Sequence, residues 1–141
     1  MSAGRAAAED GGTNPETGIA LPAEPRCVHE ARQFVDHAAA ACGFEESARF
    51  DIQLATSEAV SNAIVHGGSS SRDTIWISAV QEDDMLTFSV ADSGTFVVHV
   101  DAEDPLAESG RGLAFMARVM DEVCIASGDD GTLVRFSKRL P

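Results

Sequence analysis

Three short stretches of this chain carry residue types able to do chemistry at a useful spacing. In LATSEAVSNAIVHG, Glu58, Asn62 and His66 stand four positions apart. At ~100° per residue of helix they share one stripe. A carboxylate and an amide one turn apart offer hard oxygen atoms, which suit a Mg²⁺ that keeps several of its waters. Asp92-Ser93-Gly94 ends an alternating run. An aspartate there accepts a hydrogen bond from the amino group of a base, and Gly94 lets a ring approach the backbone. Gly110-Arg111-Gly112 opens a run of helical periodicity. Free backbone N–H groups at a helix start favour phosphate, and glycines let it come close. Each stretch alone is ordinary; the three in this order, with suitable elements between them, sketch a site for a magnesium-bound nucleotide. The chain has no GxxxxGK[ST] and no GxGxxG between a strand and a helix, and its single lysine, Lys138, stands almost at the end. Phosphate charge would therefore be met by backbone N–H groups, metal and Arg111.

The elements that must position these residues read as follows. Residues 1–17 are rich in Ala, Gly, Asp and Glu without periodicity and read as a disordered tail. Ile19–Leu21 reads as a short strand stopped by Pro22 and Pro25. Val28, Ala31, Val35, Ala38 and Cys42 recur at helical spacing, with Pro25 suited to the first turn and Gly43 to the C-terminal end. A second helix is predicted from Glu45 to His66. Ile52, Ala55, Ala59, Val60 and Ala63 face its core, and Gln53, Ser57 and Ser61 face water. Glu58 and Asn62 sit on the flank between, half-wet and in need of polar partners. Ile75, Ile77 and Ala79, then Leu86, Phe88 and Val90, alternate as one face of an antiparallel hairpin, with Trp76 on the other face. Residues 95–109 form a long irregular loop, of the kind that is usually functional or mobile. The third helix carries Leu113, Met116, Val119, Met120 and Val123 inward. Two closing runs, Val123–Ser127 and Thr132–Arg139, flank a GDDG turn. The order implies an α/β (α+β) two-layer sandwich: a mostly antiparallel mixed sheet with helices on one face.

Bulk composition narrows the function. A chain of 141 residues with 44% hydrophobic content builds one domain with a core, here residues 18–141. No apolar run is long enough to span a membrane, and the N-terminal stretch has no signal-like segment, so the expected compartment is the cytoplasm. The net charge of −13 ranks nucleic-acid binding low and suits a partner with a basic surface. Cys27, Cys42 and Cys124 lie far apart without CxxC spacing and frame neither a disulfide scaffold nor a zinc site. Cys42 and Cys124 are expected in the core.

With those residues in place, a resemblance is visible over roughly residues 18–140. The chain resembles the Bergerat-fold ATP-binding proteins, and within them the bacterial anti-sigma-factor serine kinases. EAVSNAIVHG resembles their N box, ADSG the first glycine box, ESGRGLAFMARVMDEV the second glycine box and its helix, and GTLVRF the closing strand. The resemblance implies ATP and Mg²⁺ as ligands, with Glu58 as general base and Asn62 as metal ligand. Asp92 would bind the adenine amino group with support from Thr132, and Gly94 would make room for the ring. Gly110, Arg111 and Gly112 would wrap the phosphates under a lid of residues 95–109. It also implies serine/threonine kinase activity on an anti-sigma-factor antagonist, a sigma factor as second partner, and often a homodimer. His66 would be structural. One departure stands out: where many relatives read DxGxG, Phe96 holds the second glycine position. A non-catalytic, nucleotide-sensing module that acts by sequestering a protein partner is the alternative. A sensor histidine kinase fragment ranks lower, because one helix alone precedes the N box.

Overall fold

A computed structural model of the chain describes residues 16–64, 74–92, 108–128 and 131–141. In chain order these form β1 (Glu16–Pro22), α1 (Cys27–Ala41), α2 (Glu46–Asn62), β2 (Thr74–Glu82), β3 (Met85–Asp92), α3 (Glu108–Val119), β4 (Glu122–Gly128) and β5 (Gly131–Arg139). The strands lie in the order β1-β2-β3-β5-β4. Every ladder among them is antiparallel, so the mixed sheet expected from sequence has no parallel pair among the described strands. β1 starts at Glu16, inside the stretch that composition assigns to the tail, and keeps Pro22 at the end of an edge strand. An edge strand needs only one ladder, so a proline that cannot donate is tolerated there.

Alternation along the strands fixes which face the helices cover. Ile75, Ile77 and Ala79 on β2, Leu86, Phe88 and Val90 on β3, and Val134 and Phe136 on β5 are buried. Register pairs Phe88 with Phe136, and their rings stack with centroids 5.6 Å apart. Against this face pack Ala31, Val35 and Ala39 of α1, Ile52, Ala55, Ala59 and Val60 of α2, and Met116 of α3. The opposite face of the sheet carries Trp76, half-exposed, as expected from its position between Ile75 and Ile77.

Local chemistry explains the helix ends. After α1 the chain turns through Gly43 at φ +90°. The Gly43 N–H donates to Ala40 O and the Phe44 N–H to Ala39 O, at 3.0 and 3.1 Å. That pair closes a glycine-terminated helix, and the buried Phe44 supplies the apolar contact that accompanies it. At the far end of α3 the single lysine of the chain has a structural role. Lys138, on β5, donates from Nζ to Val119 O at 2.8 Å, where the last carbonyls of a helix attract a cation. Lys138→Met is expected to lower stability by about 1 kcal/mol, or roughly 3 °C in Tm, in a thermal melt. An unchanged melting temperature would show the contact to be idle.

Three sequence expectations are corrected. The buried thiol is Cys27, fully enclosed beside Ala31; Cys42 is half-buried, and Cys124 is exposed. Cys27 continues the four-residue spacing of Ala31, Val35 and Ala39, whereas Cys124 lies opposite Arg135 on the sheet face away from the helices. Burial pushes the Cys27 thiol up from its ordinary value, which keeps it protonated and inert. Second, Gln53 and Ser57 face water only in part. Gln53 Nε2 donates to Asp36 Oδ1 at 3.1 Å, and Arg32 reaches Ser57 Oγ at 3.3 Å, because α1 packs on that side of α2. An ion pair between Arg49 and Asp36 at 2.9 Å completes the seam. Third, the third helix begins at Glu108, so Gly110 and Gly112 lie within its first turns. The expected tail over residues 1–15, His66 and the loop after it, Gly94 and the bulk of the 95–109 loop lie outside the described residues. No described helix is long and apolar enough to cross a membrane.

Candidate functional site

α2 is pinned from three sides. β3 lies beneath it, α1 holds its Gln53–Ser57 side, and α3 leans on its other flank. Residue 58 is one step of ~100° round the helix from residue 57. That step turns Glu58 from α1 towards α3. Glu58 and Asn62 are half-buried, as their place on the flank of the apolar face predicts. The Thr56 and Ser57 hydroxyls bond back to Ile52 O at 2.8 Å and Gln53 O at 3.0 Å, so neither competes for the flank.

The first turns of α3 meet Glu58 directly. Gly112 is buried, and a Cβ built on it would lie 2.8 Å from Glu58 Cδ and 3.0 Å from Cγ, with Oε2 closer still. Two of the three sequence stretches therefore come together: the acid–amide stripe of α2 and the glycine-flanked start of α3. The backbone of Gly110 and Arg111 is helical, while the Arg111 side chain lies outside the described part.

The third stretch gains a neighbour from the sheet. Asp92 ends β3 on the helix-covered face and is buried. Its register partners are Ile75 on β2 and Thr132 on β5, and Thr132 is buried too. Both Asp92 and Thr132 hold polar partners. An ionised carboxylate in such a place accepts hydrogen bonds and donates none. Gly94 lies outside the described residues.

The donor set constrains any metal. Among the described residues no three of His, Cys, Asp and Glu stand close enough to hold an ion. The described residues thus build no cage of their own. One oxygen from Asn62, completed by phosphates and water, is the kind of set Mg²⁺ accepts, so the residues present fit that ion.

Comparison with known proteins bears on this geometry. The model of the histidine kinase-like ATPase domain matches residues 21–138. The chain belongs to that family. Among curated relatives, anti-sigma F factors of Geobacillus thermodenitrificans and Bacillus cytotoxicus are 35% identical over 100 residues. The match spans 64% of this chain and 68% of theirs. The anti-sigma F factor of Bacillus thuringiensis is 33% identical over the same length. Among solved structures, the RsbU and RsbW domains of Rv1364c from Mycobacterium tuberculosis superpose with a TM-score of 0.70 at 27% identity. They cover 89% of this chain, which spans 32% of that longer one. The histidine kinase domain of the blue-light activated kinase EL346 from Erythrobacter litoralis superposes at 0.57 with 16% identity and shares the fold. The open sheet of five described strands with helices on one face is thus the fold of the histidine kinase-like ATPase domain. The family's ligand class is ATP.

The approach of Gly112 to Glu58 is the contact that sequence reasoning missed. Nothing in the periodicity of either helix announces which residue on the neighbour it meets. The seam of Arg32, Asp36, Gln53 and Ser57 was missed for the same reason.

Proposed function

We propose that this chain is an ATP-dependent serine/threonine kinase of the anti-sigma type. It would sequester a sigma factor and phosphorylate a serine on that factor's antagonist, so that phosphorylation switches partners. The observation that carries this reading is the packing of the α3 start against Glu58, one turn before Asn62, in a chain of the histidine kinase-like ATPase family. The names of the anti-sigma F relatives and of the RsbW domain support the partner assignment.

In this reading Asp92, with Thr132 beside it, accepts a hydrogen bond from the adenine amino group. The backbone of the α3 start, with Gly110 and Arg111, receives the phosphates. Mg²⁺, which Asn62 would hold, would supply positive charge against the charge that develops on the transferred phosphoryl group. Glu58 accepts the proton of the acceptor hydroxyl. The serine Oγ forms a bond to the γ-phosphorus, the bond from that phosphorus to the β–γ bridging oxygen breaks, and ADP leaves with the electron pair. Phosphoryl transfer asks for positioning and charge more than for a reactive side chain. A carboxylate, an amide and backbone N–H groups are adequate to it.

Asn62→Ala is expected to weaken Mg-ATP binding about tenfold, by the worth of one ligand to a cation. It should change metal-free ATP binding little. Calorimetry with ATP, with and without Mg²⁺, checks both. Equal losses in the two conditions would remove Asn62 from the metal site. Wild-type protein that binds no nucleotide, even with a sigma factor present, would end the kinase reading.

A further inference from the structure

Gly112 lies inside α3, four residues past its start, and its φ is not in the left-handed region. Nothing in its backbone conformation asks for glycine, and helix propensity favours alanine at such a position. The reason for glycine is spatial. A Cβ there would stand 2.8 Å from Glu58 Cδ, closer than real Cβ atoms come, and a tight 3.0 Å from Cγ. The atoms in the way belong to the far end of a flexible, half-buried side chain rather than to backbone. A side chain at residue 112 would therefore move the Glu58 carboxylate and leave the helix standing.

We infer that Gly112 is a positioning residue for Glu58: the missing side chain is the seat in which the carboxylate rests, and the start of α3 sets where that carboxylate points. This rests on the reading of Glu58 as the base, and it assigns Gly112 a role apart from wrapping phosphate. It also means that any shift of the α3 start moves the carboxylate with it, so the phosphate-facing element and the proton acceptor act as one unit.

A double-mutant cycle of Gly112→Ala and Glu58→Ala tests this on the full chain. Two readouts are taken: the thermal melt, and phosphate release from Mg-ATP with water in place of the acceptor hydroxyl. In the wild-type background Gly112→Ala is expected to lower Tm. In the Glu58→Ala background, where the seat is vacant, the same change should raise Tm by about 2–4 °C through helix propensity. Gly112→Ala alone should slow phosphate release about tenfold while Mg-ATP affinity stays within about twofold. It should have no further effect on the rate once Glu58 is gone. A Tm change of one sign and size in both backgrounds, or a loss of ATP affinity in place of rate, would overturn the proposal. Should Tm reverse sign while Glu58→Ala leaves the rate intact, the contact stands and the assignment of Glu58 as base is what fails.

Discussion

Glu58→Gln is expected to slow transfer of the γ-phosphoryl group to the antagonist serine by about 10²–10⁴-fold, the usual worth of a positioned general base. Glutamine keeps the length and hydrogen-bonding shape of the side chain but cannot take the proton. Its seat against Gly112 is steric, and glutamine fills the same volume, so the fold and the α3 start should be undisturbed. Mg-ATP affinity should accordingly stay within a few-fold of wild type, which by the logic of mutant kinetics marks an interaction made in the transition state. The measurement is single-turnover transfer of labelled phosphate, with binding measured alongside by calorimetry. A glutamine variant that transfers at the wild-type rate would remove Glu58 from the chemistry. One that loses rate and affinity together would make it a binding group.

Asp92→Ala carries the second large effect. A hydrogen bond to a charged acceptor contributes about 1.5–3 kcal/mol, so ATP affinity should fall roughly 10–150-fold. The loss should be selective. A carboxylate accepts and does not donate, so it favours the amino group of adenine over the carbonyl at the same place in guanine. The preference for ATP over GTP should therefore shrink together with the affinity. Asp92→Asn, which keeps an acceptor oxygen but drops the charge, should fall between the two. Asp92 is buried and lies next to Thr132 in the ladder, so a melt on each variant separates a loss of fold from a loss of recognition. Equal losses for ATP and GTP in a well-folded variant would mean that Asp92 shapes the pocket without reading the base.

Both predictions depend on residues that the sequence alone could single out, because the signals that mark them are local. Four-residue spacing places Glu58 and Asn62 on one stripe of a helix whatever lies around it. Strict alternation from Leu86 to Val90 fixes the face on which Asp92 falls, two residues further on. The same periodicities predicted the helices, the first hairpin and the exposed side of Trp76, since burying an apolar face is the main force that holds each element in place.

Periodicity states which face of an element is buried; it does not state which neighbour buries it. That choice belongs to packing between distant parts of the chain, and here it decided the rest. β5 rather than β4 lies beside β3, which sets Thr132 next to Asp92 across about forty residues of sequence. α1 takes the Gln53–Ser57 side of α2, turning residues that read as solvated into a polar seam with Arg32 and Asp36. Cys27 goes to the interior and Cys124 to the open face of the sheet. Lys138 finds the last turn of α3. The sequence by itself determined the elements, their buried faces and the residue types at the site. The tertiary structure alone decided that Gly112 leaves room for Glu58, because a steric seat exists only where two helices meet, and no local pattern encodes the meeting.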